Sequence, residues 1–139
     1  MKIFAVDDDP ITLALVAEVL RSAGHDVVTS GSSRDALRDV LREQPDCVIT
    51  DIMMPGIDGF ELIRELRRHP ELAALKIIVL STKSYDFDRR RAKELGADGY
   101  VIKPIERATF VRTIADIVSE DVLVSYWGVH GTLPVPGVR

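Results

Sequence analysis

The stretch CVITDIMMPGIDGF, residues 47–60, combines a short apolar run with a charged side chain and a loop of restricted shape. Its first residues are apolar or β-branched, a composition that predicts a buried strand. The predicted strand ends on Asp51, and the loop behind it contains Pro55, Gly56 and Gly59. Proline and glycine determine which backbone angles such a loop adopts. A carboxylate at the end of a rigid strand, followed by a shaped loop, is typical of a functional site.

Four more runs of this kind alternate with longer segments of helical periodicity. The predicted strands cover residues 2–6, 26–30, 46–50, 76–80 and 99–102. The predicted helices begin near residues 9, 32, 58, 85 and 106, and polar capping residues mark several of these starts. Parallel strands joined by right-handed helical crossovers form an open sheet with helices on both faces. The pattern therefore predicts an α/β fold with a five-stranded parallel sheet.

The composition restricts the class of protein. The 139 residues, 46% of them hydrophobic, are enough for one compact domain. The formal net charge of −4 argues against nucleic acid as a direct ligand. No segment approaches the ~20 apolar residues of a membrane span, and no secretion signal is visible at the start, so we expect no membrane association. The lone Cys47 lies in an apolar run, which predicts a buried thiol and fits a cytoplasmic protein.

Polar side chains follow four of the predicted strands. They are Asp7 and Asp8 after the first, Asp51 after the third, Ser81 after the fourth and Lys103 after the fifth. In an open parallel sheet the site lies beyond the carboxyl ends of the strands, so these side chains should converge. Two unit charges ~4 Å apart repel by about 4 kcal/mol at an effective dielectric constant near 20, so three carboxylates need cations beside them. Lys103 supplies one positive charge, and oxygen ligands favour Mg²⁺ as the other.

Asp51 is the predicted nucleophile, because it stands alone on the central strand. Asp7 and Asp8 are adjacent on a neighbouring strand and are better placed as metal ligands. A carboxylate beside Mg²⁺, the Lys103 ammonium group and the Ser81 hydroxyl has the parts needed to attack a phosphorus centre. That reaction depends mainly on positioning and on neutralising the phosphoryl oxygens.

Four motifs carry a resemblance to a known family. VDDDP, DIMMPGIDG, IIVLST and GADGYVIKPI occur in this order and spacing, and together they resemble the receiver domain of two-component response regulators over about residues 2–118. The resemblance implies a flavodoxin-like (βα)5 fold, doubly wound, with strand order 2-1-3-4-5. It implies that Asp51 is the phosphoacceptor and that Asp7 and Asp8 organise Mg²⁺. It adds the backbone carbonyl of Met53 as a further metal ligand.

The resemblance also implies a switch and a set of partners. The Ser81 hydroxyl would turn toward the phosphoryl group, Lys103 would pair with it, and the ring of Tyr100 would follow. The surface formed by the fourth helix, fifth strand and fifth helix would then change. The implied donor is a sensor histidine kinase or a phosphotransfer protein, and a downstream effector domain or protein would read the change; a homodimer through the same surface is also allowed. Such a domain catalyses only its own phosphorylation and dephosphorylation, so we do not expect an enzyme.

Two alternative functions stay open on the residues alone. An aspartate-dependent phosphatase acting on outside substrates would use the same acids, but it needs a second acid two residues beyond the nucleophile, where Met53 stands. A flavin-binding module of similar topology would have a first loop rich in Ser, Thr and Gly, whereas this loop is acidic.

Residues 119–139 do not follow the repeating pattern. Residues 119–121 predict a polar hinge, and residues 122–127 predict an additional strand. The segment VSYWGVHGTLPVPG resembles the opening strand and turn of metallo-β-lactamase-fold hydrolases of the phosphodiesterase and tRNA-processing type. We therefore expect a receiver domain at residues 1–118. Residues 119–139 would be a linker or C-terminal extension, either a tail or the first strand of a regulated metallohydrolase.

Overall fold

The computed structural model describes residues 1–83 and 85–119, and their core is a five-stranded sheet. The strands are β1 (Lys2–Val6), β2 (Asp26–Ser30), β3 (Cys47–Thr50), β4 (Lys76–Ser81) and β5 (Gly99–Ile102). Neighbouring strands are parallel, and their order is β2-β1-β3-β4-β5. The predicted α/β fold and strand order are therefore confirmed.

Helices follow the strands in the predicted sequence. They are α1 (Pro10–Ser22), α2 (Ser33–Glu43), α3 (Gly59–Arg67), α4 (Asp86–Leu95) and α5 (Arg107–Val118). The side chains of Asp9, Asp58 and Glu106 accept backbone N–H groups in the first turns of α1, α3 and α5, which satisfies donors that a helix start leaves open. A one-turn 3₁₀ helix at Pro70–Leu72 lies before β4 and was not predicted.

Two apolar layers hold the helices on the sheet. Helices α2, α3 and α4 cover one face, where Phe4 and Ile63 belong to the same cluster of buried side chains. Helices α1 and α5 cover the other face, with Leu20 and Phe110 in its cluster. Every residue of β3 is buried, as expected for a central strand covered on both sides. Cys47 has the predicted buried thiol, and burial raises its pKa.

The strand register aligns the carboxyl ends of the four strands that matter for function. Val6 lies opposite Thr50 and Thr50 lies opposite Val79, while Ser81 lies opposite Ile102. The residues that come next in the chain therefore leave the sheet at a common edge. We call this edge the carboxyl edge.

Helix α4 has the smallest buried side among the five described helices. Ala92 is its only buried residue, so few side chains of α4 pack against the rest of the domain. Its C-terminal end is held by Arg67 of α3, whose Nε donates to the Gly96 carbonyl at 3.0 Å and whose Nη2 donates to Asp98 Oδ2 at 2.9 Å. Helix α4 is thus anchored at the edge opposite the carboxyl edge.

The described part of the chain contains no helix that is both long enough and apolar enough to cross a lipid bilayer. Helix α5 ends at Val118, and Ser119 forms its C-cap. The predicted strand at 122–127 and the hydrolase-like segment at 124–137 lie outside the described residues.

Candidate functional site

Three carboxylates meet at the carboxyl edge. Asp7 and Asp8 follow β1, and Asp51 follows β3. One oxygen atom from each lies within 4.8 Å of the others. Asp7 and Asp51 are buried, whereas Asp8 is exposed. The sheet topology thus brings the predicted acids together.

Lys103 lies against two of these acids. Its Nζ donates to Asp7 Oδ2 at 2.8 Å and to Asp51 Oδ2 at 3.0 Å. Burial opposes the charged form of Lys103, but the hydrogen bonds to Asp7 and Asp51 outweigh it and raise the pKa of the lysine. Lys103 is therefore a permanent cation at neutral pH.

Asp51 has its two oxygens in different surroundings. Oδ1 accepts the backbone N–H of Ile52 at 2.7 Å and of Met53 at 3.2 Å. Oδ2 faces Lys103. These contacts fix the plane of the carboxylate, because three donors constrain its two rotatable bonds. Among the described residues, Lys103 is the one hydrogen-bond donor to Oδ2, which leaves lone-pair capacity on that oxygen.

The loop behind Asp51 is packed tightly against it. A Cβ atom on Gly59 would lie 2.1 Å from the backbone oxygen of Asp51, so only glycine fits there without a shift of the backbone. Thr50 donates its hydroxyl to the same oxygen at 2.8 Å. Farther along the loop, the carbonyl of Pro55 accepts the buried hydroxyl of Ser33 in α2 at 3.3 Å. Sequence analysis identified the glycine but not Thr50 or Ser33, because both read as ordinary strand and helix-cap residues.

Ser81 and Tyr100 lie beside each other and contact the loop after β4. Both are fully buried. Tyr100 donates its hydroxyl to the carbonyl of Lys83 at 2.9 Å, and the N–H of Lys83 donates to Ser81 Oγ at 3.1 Å. Burial raises the pKa of Tyr100 to about 12, against a smaller opposing effect of its hydrogen bond with Ser81. Among the described residues, Ser81 has no hydrogen bond to Asp51, so the structure groups it with Tyr100. The role of the Lys83 backbone was not predicted.

The donor set fits a hard divalent cation. All three converging groups offer carboxylate oxygen, the ligand type that Mg²⁺ prefers. Three negative charges face the single positive charge of Lys103. Burial raises the pKa of Asp7 above its usual range, although the hydrogen bonds from Lys103 and the backbone N–H of Asp9 oppose the shift.

Comparison with known proteins identifies relatives of the whole described unit. A family model described as the response regulator receiver domain matches residues 3–115. PilH of Pseudomonas aeruginosa is 34% identical over 113 residues, a match that covers 81% of this chain and 93% of PilH. The transcriptional regulatory protein AfsQ1 of Streptomyces coelicolor is 42% identical over 100 residues, which cover 72% of this chain and 43% of AfsQ1. The chain therefore spans less than half of that longer regulator.

Solved structures agree with these sequence matches. The chemotaxis protein CheY4 of Vibrio cholerae superposes with a TM-score of 0.80 at 29% identity, covering 84% of this chain and 97% of CheY4. The BeF3-activated receiver domain of RstA from Klebsiella pneumoniae has a TM-score of 0.80 at 32% identity and is covered completely by 86% of this chain. Both carry the flavodoxin-like fold expected from the sequence motifs.

These matches decide among the functional classes that the residues left open. Receiver domains are signalling modules rather than classical enzymes, and neither a phosphatase nor a metallohydrolase is favoured. The comparisons also give no support to the hydrolase resemblance of residues 124–137. The family match likewise favours the receiver over the flavin-binding module. This chain belongs to the response regulator receiver domain family.

Proposed function

We propose that Asp51 accepts a phosphoryl group from the phosphohistidine of a sensor histidine kinase or phosphotransfer protein. The observation that carries this proposal is the setting of the Asp51 carboxylate. Its Oδ1 is held by two backbone amides, and its Oδ2 lies 3.0 Å from the Lys103 ammonium group. A nucleophile fixed in this way needs little reorganisation before attack.

In the transfer, a lone pair on Asp51 Oδ2 forms a bond to phosphorus. The phosphorus–nitrogen bond of the donor breaks, and its electron pair stays on the imidazole, which takes up a proton. Lys103 moves its hydrogen bond from the carboxylate to a phosphoryl oxygen and neutralises part of the charge there. The product, an aspartyl phosphate, brings roughly −1.5 to −2 charges to the carboxyl edge.

The metal ligands in this proposal are Asp7, Asp8, Asp51 and the backbone carbonyl of Met53. Mg²⁺ held by these groups would add positive charge beside the three carboxylates and would stabilise the negative charge on the phosphoryl oxygens. The three carboxylates support this assignment, because their oxygens are within 4.8 Å of one another.

The switch in this proposal runs from Ser81 to Tyr100 and then to the surface of α4, β5 and α5. The Ser81 hydroxyl would bond to the phosphoryl group and release the N–H of Lys83 that it now accepts. The carbonyl of Lys83 accepts the Tyr100 hydroxyl, so a shift of the Lys83 backbone after movement of Ser81 would change the hydrogen bond that holds the Tyr100 ring. A downstream effector domain or protein, or a second copy of the chain, would read the altered surface. The assigned unit is residues 1–118, acting in the cytoplasm, with residues 119–139 as linker or C-terminal extension.

The proposal is tested by phosphorylation with acetyl phosphate and Mg²⁺, followed by intact-protein mass spectrometry. The parent should gain the mass of one phosphoryl group, and Asp51→Asn should gain none. Asp58→Asn is the matched control, because Asp58 caps α3 in the same loop and asparagine is also a good cap. If Asp51→Asn gains phosphate as fast as the parent, the assignment of the phosphoacceptor is wrong.

A further inference from the structure

The sulfur atoms of this chain differ sharply in their access to solvent. The sequence contains three methionines and one cysteine. The Met53 side chain is 59% exposed, whereas Met54 is 8% exposed and belongs to the buried cluster that α2, α3 and α4 cover. Met1 packs against the cluster on the other face of the sheet. Met53 is therefore the methionine that a dissolved oxidant reaches most easily.

The one thiol does not compete with Met53 for an oxidant. Cys47 is fully buried in β3, and burial raises its pKa. The thiolate is the form of cysteine that reacts with oxidants, so a buried and protonated thiol is inert. A thioether reacts without losing a proton, so the exposure of its sulfur decides how fast it is oxidised.

Met53 also lies beside the proposed nucleophile. Its backbone N–H donates to Asp51 Oδ1 at 3.2 Å, and its Cα is bonded to that same nitrogen. Asp51 is only 8% exposed, so a phosphoryl donor reaches it through a restricted opening at the carboxyl edge. Met53 borders this opening, because its exposed side chain begins next to an atom that contacts Asp51. The polarity of side chain 53 therefore acts on a group that approaches Asp51.

We propose that Met53 is a site of reversible oxidation by hydroperoxides, and that its sulfoxide slows phosphoryl transfer to Asp51. The effect on transfer rests on the function proposed above. In the oxidation, a lone pair on Met53 Sδ attacks one oxygen of hydrogen peroxide, and the O–O bond breaks. The sulfur gains that oxygen and loses two electrons, and the second oxygen leaves as water with both protons of the peroxide.

The sulfoxide changes the opening in two ways. The oxygen of the new S–O bond carries the negative end of a dipole, at an edge where three carboxylates already face one lysine. A phosphoryl donor is itself an anion, so this negative end opposes its approach. The sulfoxide also binds water that must be removed when the donor enters, a cost that the apolar thioether does not impose.

The first arm of the test maps the oxidation. The whole chain is treated with hydrogen peroxide for increasing times, the peroxide is removed with catalase, and peptides are analysed by mass spectrometry. Met53 should gain one oxygen atom at least tenfold faster than Met54. Equal rates at the two methionines, or faster oxidation of Cys47, would overturn the proposal.

The second arm measures phosphorylation by acetyl phosphate and Mg²⁺, and compares each protein before and after peroxide. The oxidised parent should be phosphorylated at least threefold more slowly than the reduced parent. Leucine has about the volume of methionine but no sulfur. Met53→Leu should therefore keep its own rate after peroxide, while the matched control Met54→Leu should lose the same factor as the parent. Treatment with the two methionine sulfoxide reductases, one for each epimer, should restore the rate of the oxidised parent.

Three results of the second arm would overturn the proposal. They are an unchanged rate in the oxidised parent, an equal loss in Met53→Leu, and a loss of rate that comes with loss of the folded signal in circular dichroism. If the reduced parent gains no phosphoryl group, the phosphoacceptor assignment fails and the effect on rate fails with it, while the first arm still decides whether Met53 is oxidised selectively. If the reduced parent is phosphorylated and oxidation of Met53 leaves its rate unchanged, only the present inference fails.

Discussion

Replacement of Asp8 by asparagine should stabilise the metal-free protein. An Asp8 oxygen lies within 4.8 Å of oxygens on Asp7 and Asp51. Like charges at that distance repel by about 0.9 kcal/mol in a water-like dielectric and by about 3.5 kcal/mol at a dielectric constant near 20. Asp8 is exposed, so the smaller figure applies, and attraction to Lys103 offsets part of it. We expect the free energy of unfolding, measured by urea denaturation in low-salt buffer with EDTA, to rise by about 1 kcal/mol.

Magnesium should reverse the order of stability of the two proteins. At about ten times its dissociation constant, a ligand that binds only the folded state stabilises it by about 1.4 kcal/mol. The parent should gain this amount, whereas Asp8→Asn, which lacks one ligand, should gain little. Asp9→Asn is the control, because Asp9 caps α1 and asparagine caps equally well. The electrostatic reasoning fails if Asp8→Asn is no more stable than the parent in EDTA, or if it retains the full magnesium effect.

Two further predictions concern the packing around the site. Gly59→Ala should lower the free energy of unfolding by about 2–3 kcal/mol, because its Cβ would lie 2.1 Å from the Asp51 carbonyl oxygen. Thermal denaturation measures this loss, and the control is Gly31→Ala, whose Cβ would lie 3.9 Å from its nearest neighbour, the Asp7 carbonyl oxygen. Equal effects of the two substitutions would contradict the steric argument. Tyr100→Phe should make the free energy of unfolding fall less steeply with pH under alkaline conditions. The pKa of Tyr100 is about 12 in the folded protein and near 10 in the unfolded chain, so the unfolded chain releases this proton at lower pH. The parent should therefore lose up to about 1.4 kcal/mol per pH unit more than the variant between these values in urea titrations, and identical slopes would disprove the assignment.

The secondary structure was predictable because local rules agree with the tertiary packing. The apolar run before Asp51 forms the central strand, and Asp9 and Asp58 cap α1 and α3 as their sequence positions indicate. The 3₁₀ turn at Pro70–Leu72 was missed, because one turn is too short for any periodicity to be visible. Several element ends differ from prediction by about one residue, as expected where the final hydrogen bonds decide the boundary.

The sequence by itself determined which residues reach the carboxyl edge. Parallel strands must end together, so residues directly after β1, β3 and β5 gather there whatever the surrounding detail. Asp7, Asp51 and Lys103 therefore meet because of the order of the strands in the sheet and the alternation of strands with helices along the chain.

Only the tertiary structure decided which atoms bind each other. The two amides on Asp51 Oδ1, the Ser33 hydroxyl on Pro55 and the Tyr100 hydroxyl on Lys83 all depend on loop backbone and side-chain rotamers. Hydrogen bonds form within tenths of an ångström and over narrow angles, whereas sequence periodicity specifies only the face of an element. For the same reason, the position of the Arg91 guanidinium, 4.6 Å from the centre of the Phe60 ring, became visible only once the packing of α4 against α3 was known.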